Sequence, residues 1–166
     1  MKTTLAILLL SAALACAADK IPNQLIDYAR FKKIARQVEP IREGRRVTEE
    51  QFATMAAEPD TVVLDARSAD KYALRHIRGA VTLPFTDFTA ESLARVIPNK
   101  ATRVLIYCNN NFLGASGSFA PKAAPASLNI STYIALVTYG YTNVYELGPL
   151  LDVRTTKLSF EGTEMP

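Results

Sequence analysis

The chain has 166 residues, of which 49% are hydrophobic and 21% are charged, with a formal net charge of +3. This length suits one domain with a full hydrophobic core, and leaves no room for a second. The charge is nearly balanced and the seven Tyr and seven Phe are scattered, so the sequence gives no reason to expect nucleic-acid binding.

The first 17 residues have the pattern of an export signal. Lys2 gives a short basic start, Leu5 to Leu14 is apolar, and Ala15-Cys16-Ala17 fits a small-x-small cleavage site. The apolar stretch is shorter than the roughly 20 residues of a membrane span. We therefore expect residues 1–17 to be a signal peptide and the protein to be periplasmic or secreted. The alternative is a lipoprotein anchored through Cys16, the one case in which we expect membrane attachment.

The rest of the chain divides into an N-terminal helical extension, residues 18–44, and a main domain, residues 45–166. Apolar residues at helical spacing predict a helix from Pro22 to Val38 that Pro40 and Gly44 end. Thr48 to Gln51 form a capping box that opens a helix to about residue 57. The remaining predicted elements alternate: strand 62–64, helix 68–74, strand 80–83, helix 90–96, strand 104–107, helix 125–138 and strand 143–145.

Alternating strands and helices predict an α/β fold with a central parallel sheet, whose ligand sites lie at the carboxyl ends of strands. Cys108 follows the strand 104–107 and precedes a turn-forming run, which is the position of a reactive thiol. The alternative is a small core residue. Once residues 1–17 are removed, Cys108 is the only cysteine and has no disulfide partner. Together with the single histidine, His76, it cannot complete a zinc site, and we expect no metal and no cofactor.

Two segments resemble the signatures of rhodanese domains. The first contains Asp65-Ala66-Arg67, Tyr72, His76-Ile77-Arg78-Gly79-Ala80 and Pro84, and the second is Gly140-Tyr141-x-Asn143-Val144-Tyr145-x-Leu147. The resemblance spans roughly residues 45 to 150. It implies a parallel sheet of about five strands flanked by helices. It also implies a cysteine that takes sulfane sulfur from a donor, holds it as a persulfide and passes it to a thiophilic acceptor.

The resemblance also implies roles for individual residues. Cys108 takes the role of nucleophile. Asp65 and Arg67 match positions that are mainly structural in the family, and His76 matches a packing residue. The loop whose amides would surround the sulfur and bind substrate consists of Asn109, Asn110, Asn111, Phe112 and Leu113.

The sequence departs from the family in this loop. All five residues after Cys108 are neutral where the family usually has an Arg or Lys, and residues 114–124 are inserted before the next helix. A displaced helix start would stabilise a thiolate less, because the dipole acts within about one turn. The neutral loop predicts weak use of thiosulfate and a preference for a less charged organic persulfide. Lys122 is a candidate to fold back and supply the missing charge.

Three functions are considered for a domain of this kind. The first is an exported sulfurtransferase or persulfide carrier that uses Cys108, a small sulfur donor and a thiophilic acceptor. The second is a non-catalytic rhodanese-like module that binds another envelope protein. The third, a cysteine phosphatase, requires an Arg that clamps the phosphoryl oxygens, and none occurs between Cys108 and Lys122.

Overall fold

The protein, a computed structural model, is described for residues 21–164, so the predicted signal peptide lies outside the described residues. The strands are β1 (Arg46–Val47), β2 (Thr61–Asp65), β3 (His76–Ile77), β4 (Val81–Thr82), β5 (Arg103–Tyr107), β6 (Phe112–Leu113), β7 (Val144–Leu147), β8 (Leu151–Asp152) and β9 (Phe160–Glu161). The helices are α1 (Tyr28–Glu43), α2 (Glu49–Ala56), α3 (Ala69–Leu74), α4 (Ala90–Val96) and α5 (Leu128–Thr138).

Five strands form the central sheet in the order β1-β7-β5-β2-β4, and all neighbours are parallel. The chain runs outward from β2 to β4 on one side, and from β5 to β7 on the other. The carboxyl ends of β2 and β5 therefore meet where the winding direction reverses, which is the usual ligand site in such sheets. The predicted α/β fold with about five parallel strands is confirmed.

Successive residues of the central strands point to opposite faces, and both faces are buried. Val63 and Leu105 pack in the cluster that includes residues of α2 and β9. Val104 and Ile106 pack in the cluster that includes residues of α1, α4 and α5. Strands covered on both sides have continuous apolar runs, which is why β2 and β5 could be predicted from composition.

Two helix starts are confirmed by their caps. Thr48 Oγ1 accepts a hydrogen bond from Gln51 N at 3.2 Å, and Gln51 Oε1 accepts one from Thr48 N at 2.9 Å. Thr89 and Ser92 make the same reciprocal pair at the start of α4. Each box satisfies two amide groups that have no partner inside the helix.

The predicted bounds of the first helix are wrong at both ends. The helix starts at Tyr28, where Asp27 caps it, and it continues through Pro40 to Glu43 before Gly44. Pro40 removes a single main-chain donor. Tertiary contacts compensate for this loss, because Arg42 in the last turn makes a bidentate pair with buried Glu146, both N···O distances being 2.6 Å.

The predicted start of the last helix is also wrong. Ala124–Ala126 forms a separate 3₁₀ turn, and α5 begins only at Leu128. Ser127, with φ −57° and ψ 128°, is extended and divides the two. Pro125 has the fixed φ that favours a first turn, but it lies in the 3₁₀ turn and not in the helix.

Five short strands were not predicted: β1, at the edge of the central sheet, and two further pairs. β3 pairs antiparallel with β9, and β6 pairs parallel with β8. Two-residue strands have no periodicity that a sequence pattern could reveal. Within residues 21–164, no helix is long and apolar enough to cross a membrane.

Candidate active site around Cys108

Cys108 follows β5 at the carboxyl end of the sheet and is only 1% exposed. Its Sγ lies 3.5 Å from Oγ of Ser127, the residue that precedes the first turn of α5. The sequence suggested that the inserted residues 114–124 displace the helix start from the cysteine. The structure shows that they do not. They form a loop that starts after β6, and after it the chain returns so that α5 begins beside the thiol.

The main chain after Cys108, whose amides were predicted to surround the sulfur, forms a tight turn. Asn109–Asn111 make one 3₁₀ turn, in which Asn111 N donates to Cys108 O at 3.2 Å. Phe112 N donates to Asn109 O. Both amides are thus bonded to carbonyl groups within the turn, and that of Asn111 also donates to the Cys108 side chain.

Asn111 has no bonding capacity left for a substrate. Its Oδ1 accepts from Cys108 N at 2.9 Å and from Asn129 Nδ2 at 3.0 Å. Its Nδ2 donates to Leu147 O at 2.7 Å and to Pro149 O at 3.2 Å. Asn111 is 5% exposed and fixes the backbone of Cys108 to the end of β7.

Replacement of Asn111 by alanine should destabilise the fold by about 3 kcal/mol, since it leaves buried main-chain groups without partners. Asn110→Ala is the matched control, because Asn110 is more exposed and bonds only the main chain of Lys122. Urea unfolding of the two variants measures the difference. Equal losses for both would contradict the role of Asn111 as a buried tie.

The other two asparagines hold the insert in place. Asn109 Nδ2 donates to Ala120 O at 2.8 Å. Asn110 Nδ2 donates to Lys122 O at 2.8 Å, and its Oδ1 accepts from Lys122 N at 3.1 Å. The turn after Cys108 and residues 120–122 are therefore joined side by side.

Phe112 belongs to the core and not to a substrate-binding loop. It is 1% exposed, and its ring packs against Phe119 and Phe160 at centroid distances of 4.5 and 5.3 Å. Leu113 is half exposed and lies in β6 beside β8. The five residues after Cys108 are uncharged because they pack in the core or bond to the main chain of neighbouring segments.

Asp65 and Arg67 form a buried network beneath the site. Arg67 Nε lies 2.9 Å from Asp65 Oδ1, and its two terminal nitrogens donate to the carbonyl groups of Ser118 and Arg75 at 2.9 and 2.7 Å. Tyr107 donates its hydroxyl to Asp65 Oδ2 at 2.6 Å. Arg67 therefore ties the insert to the sheet, a structural role as the resemblance implies.

Electrostatics in this network follow from burial and pairing. Burial lowers the pKa of Arg67, but the hydrogen bond and charge of Asp65 outweigh it, so that the pKa is raised overall. Burial, together with the charge of Asp65, raises the pKa of Tyr107 well above its usual value. Arg67 therefore remains charged and Tyr107 remains neutral over the physiological range.

His76 is a packing residue. Its ring stacks on Tyr72 with a centroid distance of 3.7 Å. Its Nδ1 lies 2.8 Å from Tyr72 O, and because a carbonyl only accepts, Nδ1 carries the hydrogen. Nε2 lies 3.6 Å from Glu161.

A cleft of about 870 Å³ lies over the carboxyl ends of β2, β4 and β5. Asn109 and Leu128, which adjoin Cys108 and Ser127 in sequence, are part of its wall. The charged residues lining it, besides Arg67, are Asp70, Lys71, Asp87 and Lys122. Lys122 is thus part of the cleft wall. Ser127, Lys71, Asp70 and Asp87 were not singled out from the sequence. Ser127 directly precedes α5, and Asp70 and Lys71 lie in the first turn of α3; these positions at helix starts were the available signal.

Among residues 21–164, no cluster of three or more His, Cys, Asp or Glu side chains is placed to hold a metal ion. The chemistry that the described residues offer at this site is that of one thiol, one hydroxyl and a helix terminus beside a charged cleft.

The chain belongs to the rhodanese-like domain family, which it matches over residues 48–148. Solved structures with the same fold include a Bacillus halodurans protein, 16% identical, with a TM-score of 0.52, covering 80% of this chain and 86% of that one. They also include the rhodanese-like domain of an Anabaena protein, 18% identical, with a TM-score of 0.52, covering 72% of this chain and 80% of that one. No curated protein matches the sequence.

Proposed function

We propose that the protein is a rhodanese-like sulfurtransferase or persulfide carrier with Cys108 as its nucleophile. The observation that supports this is the position of the thiol, 3.5 Å from Ser127 at the N-terminus of α5 and beside the cleft. A helix N-terminus and a hydroxyl both stabilise negative charge on sulfur. The insert is long, but it preserves this arrangement.

In the proposed cycle, the Cys108 thiolate attacks the outer sulfur of an organic persulfide. The sulfur–sulfur bond of the donor breaks, the donor thiolate leaves with the electron pair, and Cys108 becomes a persulfide. An acceptor thiolate then attacks the outer sulfur of Cys108 and leaves as a new persulfide, which regenerates the Cys108 thiolate. Sulfur is transferred with no net change in oxidation state, and no cofactor is needed.

The test is intact mass spectrometry of the protein after exposure to cysteine persulfide, followed by addition of a thiol acceptor. The mass should increase by one sulfur atom and return to its starting value once the acceptor is present. A protein that gains no sulfur in its native state, but whose thiol reacts after denaturation, would show that Cys108 is a core residue.

The second candidate, a non-catalytic module that binds an envelope protein, is favoured by a different observation. Cys108 is 1% exposed, and the amides of Asn111 and Phe112 are already bonded within the turn. Donor access to the sulfur then requires the segments that cover it to move. The mass experiment separates the two candidates, because only the carrier acquires sulfur without denaturation.

The cleft bears on the choice of donor. Lys71 and Lys122 supply positive charge that the loop lacks, but Asp70 and Asp87 offset it. A cleft with both signs suits a zwitterionic organic persulfide better than a small dianion, so weak thiosulfate use remains the prediction.

Two substitutions in the cleft should change thiosulfate turnover in opposite directions. Asp87→Asn should raise it and Lys122→Ala should lower it, each by about fivefold at most, because an exposed charge pair contributes about 1 kcal/mol. Asp60→Asn, at the opposite end of β2, is the control and should have no effect. Steady-state kinetics at low ionic strength measure all three. The same change for Asp87 and Asp60 variants would exclude the cleft as the donor site.

We also propose that the protein is exported, with residues 1–17 removed as a signal peptide. Intact mass of the protein recovered from the producing cells should correspond to a chain that starts at Ala18. A lipid-modified N-terminus at Cys16 would support the lipoprotein alternative, and an unprocessed cytosolic chain would contradict export.

A further inference from the structure

The large exposed apolar side chains of the described chain are concentrated at its N-terminal end. Five of the nine lie within eleven residues and are between 48% and 95% exposed: Ile21, Leu25, Ile26, Tyr28 and Phe31. Three of them precede α1, and the other two occupy its first turn. Residues 21–36 are called the N-terminal face below.

The apolar stripe of α1 continues beyond the part that packs on the domain. Phe31 precedes Ala35 by four residues and Val38 by seven, and Val38 is 3% exposed in the core. The same side of the helix is therefore buried in its second half and uncovered in its first. Tyr28 lies one turn further out, with its ring centroid 6.3 Å from that of Phe31.

The N-terminal face is strongly basic. Its only acidic residue is Asp27. Its four basic residues are Arg30, Lys32, Lys33 and Arg36. None of the four basic residues takes part in a salt bridge within residues 21–164. Lys32 Nζ lies 5.1 Å from the Tyr28 ring, so that its charge borders the apolar stripe.

We propose that the N-terminal face binds the surface of an anionic lipid bilayer. Exposed apolar side chains flanked by lysine and arginine are typical of segments that lie in the membrane interface. A second copy of the chain is disfavoured as the occupant, since it would bring four more positive charges against these four. The binding is independent of sulfur transfer and of any lipid on Cys16.

The chain contains no tryptophan. Phe31→Trp therefore introduces a single fluorophore into the N-terminal face, and it reports on that face whether or not the leader has been removed. With vesicles of phosphatidylglycerol and phosphatidylcholine, its emission should shift to shorter wavelength and brominated lipids should quench it. The matched control is Leu150→Trp, since Leu150 is 59% exposed between β7 and β8, and its emission should not change.

Charge is tested separately in the Phe31→Trp background. Each basic residue near an anionic surface contributes about fivefold in affinity. Arg30 and Lys32 flank Phe31 on either side of the helix, so Arg30→Gln with Lys32→Gln should weaken vesicle binding roughly 25-fold. Arg78→Gln with Arg95→Gln removes two exposed charges elsewhere and should leave it unchanged. Three results would each overturn the proposal: no emission shift in the Phe31→Trp variant, an equal shift on pure phosphatidylcholine, or a shift that grows with protein concentration in the absence of vesicles.

Discussion

Replacing Cys108 with serine should abolish sulfur loading and reduce sulfur transfer to the level of the protein-free reaction. The proposed cycle forms and breaks bonds only at this sulfur, and no other thiol occurs in residues 18–166. Serine is close in size and can still bond Ser127, so the fold should be retained. Intact mass after exposure to cysteine persulfide, together with a circular dichroism spectrum, measures both properties.

Ser127→Ala is the companion variant. It retains the thiol but removes the hydroxyl 3.5 Å from it, and a hydrogen bond to a charged group contributes roughly 1.5–3 kcal/mol. Alkylation of the native protein at neutral pH should therefore slow by about tenfold or more. Sulfur loading that persists in Cys108→Ser, or unchanged alkylation in Ser127→Ala, would show that the nucleophile or its surroundings have been misassigned.

Replacing Arg67 with methionine should destabilise the protein by about 3–5 kcal/mol, because it leaves Asp65 as an unpaired buried charge. The two side chains are 1% and 0% exposed. The loss would be a large part of the roughly 5–15 kcal/mol typical of a domain. Urea unfolding monitored by circular dichroism measures it.

The chain contains its own control for this experiment. Asp152 and Arg154 have the same spacing and form the same kind of pair, which lowers the pKa of Asp152 to about 2. The Arg154 side chain, however, is 74% exposed. Arg154→Met should therefore have a much smaller effect on unfolding. Similar losses for both variants would mean that burial is not what makes the Asp65–Arg67 pair important.

Much of the fold was predictable because its signals are local. The capping boxes at Thr48 and Thr89 mark helix starts within four residues of sequence. The apolar runs of β2 and β5 reflect burial on both faces. In contrast, the end of α1 was mispredicted because a distant residue, Glu146, stabilises the turn that contains Pro40.

The site was predictable in its position but not in its contacts. Cys108 could be assigned from one strand and a turn, but the asparagines could not. Whether an amide faces a substrate or a main-chain carbonyl depends on segments far away in sequence, such as Leu147 and Ala120. The same holds for residues 114–124. Their number suggested that the start of α5 is displaced from Cys108, but their path brings Ser127 back to the thiol.

The sequence by itself determined the class of fold, the order of most of its elements and the one cysteine at a strand end. These properties depend on hydrophobic periodicity, capping and composition, all of which act over a few residues. Only the tertiary structure decided that Ser127 returns to the thiol, that Asn111 is fully bonded and that charges of both signs line the cleft. Such pairings join residues that are distant along the chain, and the path of the folded backbone alone brings them within bonding distance.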